Sequence, residues 1–482
     1  MIFSITTPRP DLCKELSDVV GLFYAQSEYS QQEDAPLRIR HEEQVENGMR
    51  LCRIRLEGML QAEAESREAV QSTELAEKRI HRRQAKNTLY AVLKQATGQH
   101  PPWGSLTGIR PTRLVYARMA QGQSVEDAAN DLVRRFDVQP HKAQLLRQIV
   151  EVQQALPSTD ENTVDVYVGI PFCPSRCRYC SFISAEVGKG DKLAAYCDAL
   201  IAEMDATVQM IGQLGLTIRA FYMGGGTPTV LPPDLLRKVL SAAKPVLDAC
   251  DERTVEAGRP DSLDESKLQV LKDMGINRLS INPQTMHDAT LRTIGRAHTL
   301  QQTEAAYRMA RAMGFHHINM DLIAGLPGET PDMFRQTLAW AQGIAPESLT
   351  IHSLCVKRSS DMHRWQDSLP APRDVEQMVE EGYLAARQMG LRPYYLYRQK
   401  HMAGNLENVG YARPGMECLY NVDTMEDNVS VLAVGAGAIS KRVTKGRELV
   451  TRAPNVKEYS HYVSRVPEML ARKRALWGLE PT

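Results

Sequence analysis

The chain has 482 residues, 58 of them basic and 58 acidic, so no field of one sign draws it to nucleic acid or to a membrane surface. Hydrophobic residues make up 43% and charged residues 24%, the composition of an ordinary globular protein long enough for two or three packed domains. No charged-then-apolar leader occupies Met1 to Arg9 and no apolar run approaches the ~20 residues that span a bilayer, so the expectation is a cytoplasmic protein that does not span a membrane.

Alternation from Arg38 to Glu57, with Cys52, Ile54 and Leu56 set against Arg53 and Arg55, predicts strands. The charged, Ala-rich stretch from Leu60 to Gln95 predicts a long helix. Its basic residues Lys78, Arg79, His81, Arg82, Arg83 and Lys86 are offset by Glu63, Glu65, Glu68, Glu74 and Glu77, which reads as a solvated helix face and not as a nucleic-acid surface. Pro101-Pro-Trp-Gly104 breaks that helix, and Gly108-Ile-Arg-Pro-Thr-Arg113 opens a helical region that runs to about Leu156. Pro157-Ser-Thr-Asp160 reads as a linker.

Beyond it, strand, loop and helix repeat with the spacing of a parallel sheet. The strands expected are Val164 to Ile170, Ala220 to Met223, Thr254 to Ala257, Arg278 to Asn282, His317 to Ile323 and Ser348 to Leu354. Amphipathic stretches such as Pro233 to Leu247 and Ala305 to Met313 lie between them. Six βα units predict an α/β fold with a partial (β/α)6 TIM-like barrel. From about Arg373 a helix, a strand around Pro393 to Tyr397 and the apolar stretch Val429 to Ser440 predict an α+β cap. The expected division is an N-terminal α+β and helical domain over 1–160, a partial barrel over 161–372 and a C-terminal cap over 373–482.

The nine cysteines are an odd, mostly scattered set, and a disulfide framework is not expected in a long cytosolic chain. Cys173-Pro-Ser-Arg-Cys177-Arg-Tyr-Cys180 is the exception, directly after a strand. Three thiolates at this spacing on one loop can ligate three irons of a [4Fe-4S] cluster and leave the fourth iron open. S-adenosylmethionine (SAM) can chelate that iron through its amino and carboxylate groups and accept an electron into its sulfonium, yielding a 5′-deoxyadenosyl radical. Zinc, the other reading of clustered thiols, usually takes four ligands in CxxC pairs, and the sequence holds no second pair.

Met223-Gly-Gly-Gly-Thr-Pro228 ends the second expected strand, where barrel enzymes keep ligand loops. Its glycines either let the backbone approach a ligand or simply connect strand to helix. Glu256, Gln284 and Asp321 recur near strand ends in otherwise apolar segments, and buried polar groups need partners, whether from SAM or from the core itself. Arg296 suits either a SAM carboxylate or a surface salt bridge.

Tyr167-Val-Gly-Ile-Pro-Phe-Cys173, Gly224-Gly-Gly-Thr-Pro228, Asn277-Arg-Leu-Ser-Ile281 with Gln284, Ile294-Gly-Arg-Ala-His298 and Asp321-Leu-Ile-Ala-Gly-Leu-Pro327 together resemble the oxygen-independent coproporphyrinogen III oxidase (coproporphyrinogen dehydrogenase) family of radical SAM proteins. The resemblance covers about residues 163 to 445. Tyr394-Tyr-Leu-Tyr-Arg-Gln-Lys400, Ala403-Gly-Asn405 and Glu407-Asn-Val-Gly-Tyr411 resemble the branch with an extra N-terminal domain.

This resemblance implies a partial barrel with a porphyrinogen-oxidase-like cap. It also implies anaerobic decarboxylation of two propionates of coproporphyrinogen III to vinyl groups, with a reducing electron donor such as flavodoxin or ferredoxin. By the same resemblance Cys173, Cys177 and Cys180 hold the cluster, Tyr167 lies beside it, and Gly225, Gly226 and Thr227 hold SAM. Glu256, Gln284, Arg296 and Asp321 complete that pocket, with Tyr167 and Arg296 as the candidate catalytic residues. Gly437 and Ala438, in Val434-Gly-Ala-Gly-Ala-Ile-Ser440, match a loop that approaches the adenine or a second SAM.

Two positions depart from the family pattern. Phe182 stands where established coproporphyrinogen dehydrogenases carry a fourth cysteine, and Gly169 replaces the histidine of Tyr-x-His-Ile-Pro. The haem chaperone branch also lacks the fourth cysteine. The alternatives are therefore a haem chaperone or another radical SAM reaction on a tetrapyrrole. Arg398, Lys400, His401 and Arg413 with Tyr394, Tyr395, Tyr397 and Tyr411 form a basic, aromatic stretch that either receives a tetrapyrrole or lines a solvated strand. His298, His352 and His401 are the histidines open to haem-iron ligation.

Overall fold

The computed structural model describes residues 1–24, 27–32, 34–108, 110–180, 185–187, 192–355, 368–399, 402–444 and 449–480. Phe182, Lys400 and His401 lie outside the described residues. Residues 1–150 with 398–407 form one unit, and residues 151–397 with 408–482 a second. Among the described residues no helix is long and apolar enough to cross a membrane.

In the first unit, strands β1 (Ile2–Thr6), β2 (Glu28–Tyr29), β3 (Leu37–Glu46), β4 (Met49–Gly58) and β5 (Ala62–Ala69) make a sheet in the order β2-β1-β3-β4-β5. Phe3, Ile39 and Ile54 of the sheet share one buried core with Leu16 and Val20 of α1 (Cys13–Phe23) and Leu89 of α2 (Glu74–Thr97). The stretch from Leu60 to Gln95 is therefore not a single helix. Ala62, Ala64 and Ser66 alternate with Glu63, Glu65 and Arg67 along β5, and Glu63 and Glu65 meet Arg55 and Arg53 of β4 at 2.9 and 2.8 Å. A period of two and opposite charges across the ladder outweigh the helix propensity of Ala and Glu. Helix α2 begins only at Glu74, where the Thr73 hydroxyl accepts from the Ala76 N–H.

Helices α3 (Thr112–Met119), α4 (Val125–Phe136) and α5 (Pro140–Gln154) follow. Segment 398–407 belongs to the first unit. The Arg398 guanidinium lies 5.2 Å from the Trp103 ring centre and donates to the carbonyls of Leu106, Gly108 and Asn405 at 2.9, 3.3 and 2.9 Å. Glu407 accepts from Trp103 Nε1 at 2.7 Å and from Lys142 Nζ at 2.6 Å. Arg398 is thus a buried structural cation, not one offered to a propionate.

The second unit is built on β6 (Thr163–Ile170), with a short pair β7 (Phe172–Cys173) and β8 (Ala185–Glu186) above it. Strand β6 is followed, after α6 (Lys192–Leu214), by β9 (Thr217–Gly225), β10 (Glu252–Gly258), β11 (Arg278–Ile281), β12 (Ile318–Ala324) and β13 (Ser348–Ser353). These six strands are the expected ones, and they pair in parallel in chain order. Val164, Val166, Val168 and Ile170 on one face of β6 are fully buried, while Asp165, Tyr167 and Gly169 occupy the other.

The C-terminal segment continues the same sheet at both edges. β14 (Arg392–Tyr397) and β15 (Asn408–Ala412) extend it antiparallel beyond β13. β16 (Ser430–Val434) adds a seventh parallel strand beside β6, and β17 (Ile439–Thr444) and β18 (Leu449–Pro454) follow antiparallel. The sheet stays open, with eleven strands from β14 to β18.

Candidate functional site

The loop from Cys173 to Cys180 leaves the C-terminal end of β6, the end at which parallel barrels carry their chemistry. Thr227 Oγ1 donates to Cys173 Sγ at 3.5 Å, and Arg259 Nη1 reaches Cys177 Sγ at 3.9 Å and Ser175 Oγ at 2.8 Å. Arg296 holds the same loop from another side. Its Nε and Nη2 donate to Tyr179 Oη at 3.2 and 3.0 Å, and its Nη1 donates to the Asn282 carbonyl at 2.6 Å. The backbone N–H of Arg178 donates to the Ile294 carbonyl at 2.9 Å. Hydrogen bonds and positive charge directed at thiols favour thiolate and tune an iron–sulfur group.

The three thiols are partly exposed. Among the described residues no group of three His, Cys, Asp or Glu side chains stands at metal-holding distances. The three cysteines nonetheless share one loop, at a spacing that suits three irons of a four-iron cluster.

The glycine loop is laced to this strand. Gly226 N donates to the Ile170 carbonyl at 2.7 Å and Thr227 N to the Phe172 carbonyl at 2.8 Å. A Cβ on Gly226 would stand 2.5 Å from the Phe172 carbonyl oxygen, and Gly225 has φ +104°, so both positions demand glycine. A Cβ on Gly224 would stand 2.8 Å from the carboxyl carbon of Glu256.

Glu256 lies half-buried beside that loop. Burial pushes its carboxyl up to about 7 against the hydrogen bond from Tyr222, and the neighbouring Asp321 adds to the rise. Tyr222 Oη donates to Glu256 Oε1 at 2.6 Å. Tyr222 stacks on Tyr420 at 4.3 Å between ring centres, and Tyr420 stacks on Tyr167 at 6.0 Å. Tyr420 comes from the helix Leu419–Glu426, whose first turn is fixed by Glu252 accepting from Leu419 N at 2.7 Å and Tyr420 N at 3.0 Å. Tyr167 therefore forms one side of a three-tyrosine floor, with its hydroxyl close to Gly225.

Gln284 lies just beyond β11 with φ 70°. Its N–H donates to the Asp321 carbonyl and its carbonyl accepts from Ile323 N, both at 3.0 Å. Asp321 Oδ1 accepts from Asn319 Nδ2 at 2.8 Å, and Oδ2 lies 3.7 Å from His352 Nε2. Burial raises the Asp321 carboxyl, but His352 and Asn319 outweigh it and hold the group below the usual carboxylate range.

Gly437 and Ala438 sit in the turn between β16 and β17, and Ala438 packs with Tyr167 and Tyr420. The turn is tied to β6 through Tyr196, which accepts from Ala436 N at 3.0 Å and donates to the Gly169 carbonyl at 2.6 Å. Glu203 of α6 accepts from Gly435 N, Asn455 Nδ2, Tyr462 Oη and Lys473 Nζ at 2.8, 2.9, 2.6 and 3.0 Å.

Other candidates are core residues. Tyr394, Tyr395 and Tyr411 are buried strand residues, and Tyr394 and Tyr395 pack in one cluster with Tyr222 and Tyr420. His298 is buried, and burial together with Arg296 lowers it to about 4, so it is a neutral core imidazole. Tyr179, Tyr222, Arg259, Tyr420 and His352 are the site residues that sequence spacing did not select for the SAM pocket. Tyr222 and Arg259 at least flank Gly224 and Gly258 on their strands, whereas Tyr420 carried no local signal.

Comparisons with known proteins agree with this architecture. The Radical SAM superfamily pattern matches residues 167–341. The chain is 39% identical over 407 residues to the oxygen-independent coproporphyrinogen-III oxidase-like protein HemZ of Bacillus subtilis (strain 168), covering 82% of this chain and 81% of that one. It is 31% identical to the heme chaperone HemW of the same organism, over 63% of this chain and 76% of that one. The solved structure of the coproporphyrinogen III oxidase HemN from Escherichia coli shares the fold, with a TM-score of 0.52 and 23% identity over 66% of this chain and 72% of that one. Radical SAM proteins use a [4Fe-4S] cluster and SAM. By sequence over most of its length and by fold, this chain belongs to the radical SAM family of oxygen-independent coproporphyrinogen III oxidase-like proteins.

Proposed function

We propose that the protein is a SAM-dependent coproporphyrinogen III dehydrogenase, converting two propionate side chains to vinyl groups to give protoporphyrinogen IX. The observation that carries the SAM part of this reading is the half-buried Glu256 carboxyl beside a glycine loop that is hydrogen-bonded to the cysteine-bearing strand, and the 39% identity to a coproporphyrinogen-III oxidase-like protein supports the substrate. A half-buried acid poised at about 7 invites a cation, and the SAM ammonium supplies one.

When bound, the cluster and SAM supply the 5′-deoxyadenosyl radical that removes a hydrogen atom from the propionate β-carbon. Loss of CO2 and one electron, the electron passing to a one-electron acceptor such as an oxidised flavodoxin or ferredoxin, would then leave the vinyl group, and the reduced carrier would supply the electron that the cluster needs. Cys173, Cys177 and Cys180 would hold the cluster, with Thr227 and Arg259 donating toward sulfur. Gly225, Gly226 and Thr227 offer backbone to the methionyl end. Glu256 accepts its ammonium, and Gln284 and Asp321 receive the ribose. Arg296 keeps the cluster loop in place through Tyr179, and Tyr167, Gly437 and Ala438 close the pocket on the other side.

A haem chaperone is the second reading, favoured by the 31% identity to HemW and by Phe182 in place of a fourth cysteine. The deciding experiment incubates anaerobically reconstituted protein with SAM, a strong reductant and coproporphyrinogen III, and follows porphyrins and 5′-deoxyadenosine by chromatography. Protoporphyrin formed together with deoxyadenosine is the expected result. Stoichiometric haem retention with no porphyrinogen turnover would replace this reading with the chaperone.

A further inference from the structure

We infer that His352 is the substrate-facing imidazole of the barrel mouth, donating to a propionate carboxylate of the tetrapyrrole, with Asp321 beside its ring. This rests on the tetrapyrrole reading above and deepens it.

Ser348, Thr350 and His352 alternate along one face of β13. Thr350 belongs to the barrel's interior polar ladder, since its Oγ1 donates to Asn319 Oδ1 at 3.3 Å and stands 3.4 Å from Tyr395 Oη. His352 is the next residue on that face, at the C-terminal end of the strand, and its register partner on β12 is Ile323, two residues beyond Asp321. Ser348 and Thr350 are closed off, yet the His352 side chain remains 25% exposed. The polar face of β13 therefore opens at His352.

Among the described residues, three basic side chains beside the cluster loop are already engaged or buried. Arg259 is paired with Asp261 at 2.7 Å, Arg296 is spent on Tyr179 and Asn282, and His298 is buried. Asp321 is pinned by Asn319 on one oxygen and turns the other to His352 Nε2 at 3.7 Å. The partly exposed imidazole is the polar group of this face left for a ligand, and its N–H can donate to a carboxylate. Iron ligation is the poorer match, because it favours the less hindered Nε2, the nitrogen that faces Asp321. Tyr397, at the end of β14, is near enough to Asp321 for that charge to add to the rise that burial gives its phenol, so an aromatic ring lies close to the same carboxylate.

The test uses full-length, anaerobically reconstituted protein and two fluorescent probes, coproporphyrin III and its tetramethyl ester. The wild type is expected to bind the acid more tightly than the ester. H352Q should lose about tenfold of that preference, the worth of one charge-assisted hydrogen bond, with ester binding unchanged. H352K should recover part of it. An H352Q protein that keeps the full acid preference overturns the inference, as does one that keeps it but loses a wild-type haem spectrum, which assigns His352 to iron. A wild type that ignores the difference between acid and ester overturns the tetrapyrrole-acid reading itself. Should H352Q fail to bind SAM, H352K decides: recovery of the preference supports the inference and its absence overturns it.

Discussion

A single hydroxyl at Tyr222 governs how the pocket meets its ligand. Burial pushes the Glu256 carboxyl up to about 7, and the hydrogen bond from Tyr222 opposes that rise. Removing the hydroxyl lets the carboxyl climb further, so less of it is ionised at neutral pH. A SAM ammonium prefers the ionised form. In Tyr222→Phe the pH at which SAM affinity falls off on the acid side should move upward, with a loss of about threefold to thirtyfold at pH 7. Isothermal titration of SAM across pH 6 to 9 checks this, and an unmoved curve would separate Tyr222 from Glu256. Beyond its place near Gly224, nothing in the sequence marked Tyr222, because its importance lies in a 2.6 Å contact with a residue one strand away. Glu256 itself was legible, because a lone acid in the apolar run Thr254 to Ala257 needs a reason.

At the scale of elements, α6 and the C-terminal helix Val466–Leu476 are joined by one buried ion pair, Glu203 with Lys473. Both side chains are almost fully buried, and Glu203 also anchors the turn that carries Gly437 and Ala438. Lys473→Met leaves the Glu203 charge without its cation. That change should cost about 3–5 kcal/mol, read as a lowered thermal midpoint, and substitution of both residues by apolar ones of similar size should restore much of it. A Lys473→Met midpoint equal to the wild type's would show that the pair is not what holds this turn. The six parallel strands were readable because each is a short apolar run bounded by turn residues, a pattern contained within a few positions. Strand β5 was not, because Ala and Glu favour helix in isolation and only the ladder with Arg53 and Arg55 reverses the preference. The seventh parallel strand, β16, escaped for a related reason: its partner is β6, far earlier in the chain.

For the whole molecule, the sequence predicts a domain over 1–160 ahead of the barrel, while the contacts group residues 1–150 with 398–407. Tyr394 to Tyr411 looked like one basic, aromatic surface. It is instead two antiparallel sheet strands with a segment between them, residues 398–407, that completes the first unit. Arg398 and Glu407 resemble ligand-binding residues in composition alone, since a buried cation over an indole and a buried acid on a lysine serve packing equally well. A fragment of residues 1–150 should accordingly be poorly stable. Adding a peptide of residues 398–407 in trans should raise its thermal midpoint, and the same peptide with Arg398→Ala should not. A fragment already as stable as the unit in the full chain would contradict the assignment.

The Arg398 and Glu407 contacts also bear on synthesis. A ribosome delivers residues 1–150 long before it delivers 398–407, so the emerging N-terminal unit waits with Trp103 uncovered and Lys142 lacking its Glu407 carboxylate. The hydrophobic core between the sheet, α1 and α2 can close early, but the Trp103 and Lys142 side is completed only when most of the barrel has left the exit tunnel. A chain cut short anywhere before residue 398 leaves that side unfinished.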